Sequence, residues 1–112
     1  MTIRIDEDTA VEMLVQRVKF WTDDETVISL YKKMYEYSVC GGAYDGGTFD
    51  VKEIVDNDYV NWCKVISEGD DEYDDIKALY DEDGLADISC ADNNHGISYI
   101  EAEYMGNFLV RY

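Results

Sequence analysis

The stretch "SEGDDEYDDIKALYDEDGLADISCAD", residues 67–92, holds eleven carboxylates between Glu68 and Asp92 against a single cation, Lys77. Carboxylates at this density can ligate a divalent cation, share a proton for acid–base work, or present a negative surface to a basic partner. Calcium needs oxygen ligands at fixed loop positions around a glycine. With Gly84 as that glycine, Asp81 and Asp83 fall on ligand positions, but Leu79 takes the first and Cys90 the last, where a bidentate Glu belongs. Both anchoring positions fail, so the expectation is weak attraction of cations and no dedicated metal site. Carboxylate pairs are so frequent in this chain that no single pair marks acid–base catalysis.

The other reactive side chains are Cys40, Cys63, Cys90 and the lone His95. Each cysteine stands alone, without the C-x2-C knuckle that pre-forms half a zinc site, and buried reduced thiols are expected. His95 lies in the turn-forming run "DNNHG". No nucleophile elbow and no Ser/His or Cys/His spacing is recognisable. "CGG" and "DGG" lack the Lys and Ser/Thr of a phosphate loop. The chain therefore reads as a non-enzyme without a cofactor. An odd cysteine count, a start unlike a signal peptide and the lack of any long apolar run point to a reduced cytoplasmic setting away from membranes.

These residues must be positioned by a folded chain. Of its 112 residues, 46% are hydrophobic, with ten tyrosines, two tryptophans and three phenylalanines, enough for one core and one domain, 1–112. Thr9 and Glu12 form a capping-box pattern that opens a helix to about Trp21, with Val11, Leu14, Val15, Val18 and Trp21 on one apolar face. Thr22 and Glu25 repeat the pattern, and Val27, Leu30, Tyr31 and Met34 stripe a second helix that Gly41-Gly42 ends. A helical hairpin follows from these two. "TIRI" is β-prone, "GGAYDGGTFD" reads as a loop, and Asp50 caps the short turn "VKEIVD". "YVNWCKVIS" reads as a buried strand.

The carboxylate-rich run forms a helix over about residues 71 to 82 that stops before Gly84, with Ile76, Leu79 and Tyr80 inward. "ADISCA", "ISYIEAEY" and "NFLVRY" complete an antiparallel meander, the last two joined at Met105-Gly106. In "ISYIEAEY", strand alternation puts Ile97, Tyr99, Glu101 and Glu103 on one face and Ser98, Ile100, Ala102 and Tyr104 on the other. The fold class is α+β, an N-terminal helical hairpin and further short helices packed on a small antiparallel β-sheet with a C-terminal β-meander.

The net charge is −17, from 26 acids against 9 bases. Self-repulsion of that size opposes folding and makes direct binding to nucleic acid or to an anionic membrane unfavourable. On a helix, residues three and four apart are neighbours. Asp70, Asp71, Asp74, Asp75, Asp81, Glu82 and Asp83 can thus display negative points at a pitch comparable to backbone phosphates, and Tyr73 adds an aromatic anchor of the kind interfaces use. The expected ligand of this surface is a basic nucleic-acid-binding protein. The competing reading is an interaction module, such as a phage accessory protein, for another basic or hydrophobic partner.

In length, negative charge, abundance of Asp, Glu and Tyr, few cysteines and lack of a catalytic motif, the whole chain resembles the small acidic inhibitors of phages and mobile elements. These are anti-CRISPR proteins and anti-restriction DNA mimics. The likeness is one of composition and brings no residue-by-residue motif. It implies a viral protein, a monomer or small homo-oligomer in the cytoplasm of a bacterial host cell, whose carboxylates occupy the Lys/Arg groove of a Cas effector or restriction enzyme. In a Cas9-type effector the implied target is the pair of arginines that read the PAM.

Overall fold

A computed structural model describes residues 3–37, 44–45, 48–55 and 63–112. Their elements are α+β and gather into two units, Met1–Asn61 and Trp62–Tyr112.

In the first unit a short strand, β1 (Arg4–Ile5), leads into helix α1 (Glu7–Lys19). The cap of α1 is Asp6, three residues earlier than the Thr9 capping box, because its Oδ1 accepts from Thr9 N at 2.8 Å. Hydrogen bonds from the Thr9 side chain and backbone hold the Asp6 carboxyl below the usual range. Val11, Leu14, Val15 and Val18 are buried as their spacing requires, and Ala10 joins them. The helix stops at Lys19, short of Trp21, and this overturns the inward placement of that residue. Phe20 is 92% exposed and Trp21 54%, in the turn to α2 (Glu25–Tyr37). The Trp21 ring meets Tyr31 edge-on at 5.6 Å.

Helix α2 is capped by Asp24 and not by Thr22. Asp24 Oδ1 accepts from Thr26 N at 2.9 Å, while Thr22 Oγ1 accepts from Asp24 N. Leu30, Tyr31 and Met34 are buried as their spacing requires, Ile28 and Tyr35 join them, and only Val27 of the expected stripe is half-buried. The Gly41-Gly42 stop lies outside the described residues. The glycine-rich run expected as a loop instead contributes strands β2 (Tyr44–Asp45) and β3 (Thr48–Asp50), and β3 pairs antiparallel with both β1 and β2. Asp50 then caps α3 (Val51–Val55) through Lys52 N, as its position predicts. Arg17 ties α1 to α3, its guanidinium donating to Ile54 O at 2.7 Å.

The second unit is a three-stranded antiparallel sheet in the order β4-β6-β5 with helix α4 on it. Strand β4 (Cys63–Ile66) is the described part of "YVNWCKVIS", and only Ile66 in it is fully buried. Helix α4 spans Tyr73–Asp83 and closes at Gly84, whose N–H reaches Tyr80 O at 2.7 Å and whose φ of 72° turns the chain out of the helix. Strands β5 (Tyr99–Tyr104) and β6 (Asn107–Arg111) meet in the expected two-residue turn. Met105 and Gly106 both take positive φ, 50° and 80°. The core is Ile66, Ile76, Ile88, Ile97, Ile100, Phe108 and Val110. Ile76 is fully enclosed, and burial of such a side chain contributes about 1.5–3 kcal/mol.

Two expectations for this unit are overturned. "ADISCA" is not a strand and offers only one bridge, Asp87 to Tyr99. Its backbone is drawn into turns instead. Asp87 Oδ1 accepts from Ser89 N, and the Asn93 side chain donates to Ile88 O and Ile97 O while accepting from Ile97 N. The alternation in "ISYIEAEY" also breaks. Ile100 pairs with Val110 and Ala102 with the adjacent Leu109, which leaves Glu101 as the extra residue of a β-bulge. Ile100 and Ala102 therefore face opposite ways.

Candidate functional site

The acidic surface is built by α4 and the turn before it. Asp70 Oδ2 accepts from Ser67 N at 2.8 Å and Asp70 O accepts from Tyr73 N at 3.1 Å, which turns the chain into the helix. Ile76 anchors the inner side, with Leu79 and Tyr80 packed against the same core. This leaves Asp70, Asp71, Asp74, Asp75, Asp81, Glu82 and Asp83 exposed. Tyr73 is placed differently from an outward anchor. It is half-buried, with its ring 5.8 Å from Phe108. Tyr80 stacks beside it at 5.1 Å from Phe108, and burial together with Glu103 raises its hydroxyl above the ordinary value.

The carboxylates are not equivalent. Asp81 Oδ2 takes a hydrogen bond from Lys77 at 2.8 Å, which raises the lysine above its ordinary value. Asp75 Oδ2 lies 2.9 Å from His95 Nε2, so the only histidine of the chain reaches back across 20 residues to the helix. Glu72, at the N-cap, pairs with Lys64 of β4 at 3.5 Å. Asp71, Asp74, Glu82 and Asp83 have no cation within pairing distance among the described residues. The row of negative points is thus interrupted in its middle by Lys77 and is concentrated at the two ends of the helix.

Those ends differ electrostatically. Asp74 and Asp75 sit in the first turn, where the helix dipole favours negative charge. Asp81, Glu82 and Asp83 sit in the last, which has no basic residue, against the negative end of that dipole. Local helix stability alone would select Lys or Arg there.

A second group of charges lies on the sheet. Glu101, at the bulge, is 5% exposed, and Arg111 Nε stands 3.1 Å from its Oε1. That approach is outside hydrogen-bond alignment, and Oε1 accepts no hydrogen bond among the described residues. Burial raises the Glu101 carboxyl, and Arg111 only partly offsets it. Arg111 also covers the Tyr99 ring at 5.1 Å. Across the strand pair, the Cys63 thiol is pushed up to about 12 by burial first and by the Glu101 carboxylate second. Such a thiol is protonated and poorly nucleophilic at neutral pH. Sequence reading gave no hint of this group, because it depends on strand register.

Among the described residues no set of three or more His, Cys, Asp or Glu side chains is arranged to hold a metal ion. No described helix is long and apolar enough to cross a membrane. Compared with protein-family models, curated proteins and solved structures, the chain matches none.

Proposed function

We propose that this protein is an acidic nucleic-acid mimic that inhibits a host defence nuclease, acting as an anti-CRISPR protein on the DNA- or PAM-binding groove of a Cas effector. The observation that carries this reading is the placement of Glu82 and Asp83 at the C-terminal end of α4, without a pairing cation among the described residues and against the helix dipole. Charge kept where it weakens its own helix is charge kept for a partner. The carboxylates at the two ends of α4 would accept hydrogen bonds from Arg and Lys side chains that otherwise hold phosphate, bidentately where arginine is presented. Duplex DNA itself is repelled by the charge of −17.

The test is competition. The protein is titrated into a Cas9-type nuclease and its DNA substrate, alongside an Asp71→Lys/Asp74→Lys/Glu82→Lys variant checked by circular dichroism. Asp75 is spared because it holds His95. The mimic reading expects loss of DNA binding with the parent protein, steep weakening at high salt, and little inhibition by the variant. Full inhibition by a folded triple variant would remove α4 from the contact.

A second reading, an interaction module that docks through apolar contacts, is favoured by the exposed Phe20, Trp21 and Met105, the last 80% exposed. Affinity that survives high salt but falls on Phe20→Ala would select it.

A further inference from the structure

The first unit carries a surface independent of α4 and of the mimic reading. Helices α1 and α2 run back along each other across the short turn at Phe20, and one side of the pair opens into a groove of about 570 Å³. Val11 and Val15 of α1 and Ile28 of α2 form its floor, nearly buried but reachable from the groove. The lining recurs every three to four residues on both helices, from Glu7 to Lys19 and from Glu25 to Glu36. Two such ridges leave a channel that a third helix fills, and at 1.5 Å per residue its length is about 18 Å, or a little over three turns.

The walls say what kind of helix. At one end Glu7, Asp8 and Glu12 of α1 face Glu36 of α2, and Lys32 of the lining is already 3.9 Å from Glu36. At the other end Lys19 and Glu25 offset one another in sign. A nucleic acid or an anionic lipid is repelled by the first end. A second copy of this chain, with 26 acids and 9 bases, offers few cations to match it. We propose that the groove docks a basic amphipathic helix of a partner protein, with Lys or Arg concentrated toward the Glu7/Glu36 end. The alkyl stems of those residues cover Val11, Val15 and Ile28 while their heads reach the carboxylates.

The test uses the full chain, labelled with ¹⁵N, and a synthetic three-turn peptide with leucines on one face and lysines at one end. Saturable shifts centred on the amides of Val11, Val15, Ile28 and Ser29 are expected. A Glu12→Lys/Glu36→Lys variant should weaken binding by about tenfold or more. Ser29→Tyr, which fills the half-buried Ser29 position without touching charge, should weaken it as well. Asp74→Lys/Glu82→Lys should leave groove shifts unchanged, which separates this site from the mimic surface. Equal binding of a scrambled peptide of the same composition, shifts centred on α4, or no saturable shift at all would each overturn the proposal, and the mapping on the unaltered chain decides even where a variant fails to fold.

Discussion

Replacing Glu82 and Asp83 together by lysine should make the protein more stable while making it a worse ligand. Both side chains are exposed in the last turn of α4, and neither has a pairing cation among the described residues. An unfavourable charge at a helix end costs about 0.3–1 kcal/mol at low salt, and a favourable one contributes about as much. For the pair, allowing for exposure and for the neighbouring Asp81–Lys77 contact, a gain of about 0.5–2 kcal/mol follows. In a domain near this size 1 kcal/mol moves Tm by about 4–8 °C, so a rise of several degrees is expected. Thermal melts followed by helical circular dichroism at low and at high sodium chloride read it directly, and the gain should shrink as salt screens the charges. Partner binding, measured on the same sample, should weaken. A Tm that is unchanged or lower at low salt would refute the dipole argument, and with it the inference that these acids are kept at a cost.

Three further outcomes follow from the second unit. Met105→Asn should raise stability by about 0.5–1 kcal/mol in urea unfolding, because Asn tolerates the left-handed φ of this two-residue turn and the exposed methionine packs against little. Glu101 has its folded-state pKa raised above the ordinary 4.5, so its contribution to stability is present below that pH and is lost as pH climbs through the raised value. Glu101→Gln should therefore lose less stability than the parent between mildly acidic and neutral pH, and parallel urea-midpoint curves for the two proteins would contradict the assignment. Thiol labelling of the folded protein near pH 8 should modify exposed Cys90 readily and leave Cys63 until the chain is unfolded.

The helices of this fold are well written in the sequence where one physical signal dominates. The Val11, Leu14, Val15 and Val18 stripe and the inward Ile76 follow from spacing alone, and both are buried. The outward carboxylates of α4 follow from the same period. Caps are less legible, because Asp6 and Thr9, or Thr22 and Asp24, offer the same chemistry three or two residues apart, and only backbone geometry chooses between them. The bulge at Glu101 is set by the register of β6, which alternation within one strand cannot show. Strands β2 and β3 were hidden by the glycines around them. The tethering of Asp75 was hidden too, since its bond with His95 is a contact between a loop and a helix far apart in the chain.

Strand β6 lies between β4 and β5 and pairs Cys63 with Arg111, the two extremes of its sheet. Neither flanking strand has a ladder to join until residues 107–111 exist. Before then α4, at 11 residues and laden with like charges, is too short to persist as an isolated helix. On the ribosome, where the chain grows by about 5–20 residues per second, the acidic surface is therefore withheld until the final strand of this sheet has emerged. A nascent chain arrested before Asn107 would keep every carboxylate and lack only the cation Arg111, but it would not have the geometry, and the surface would come into being in one cooperative step.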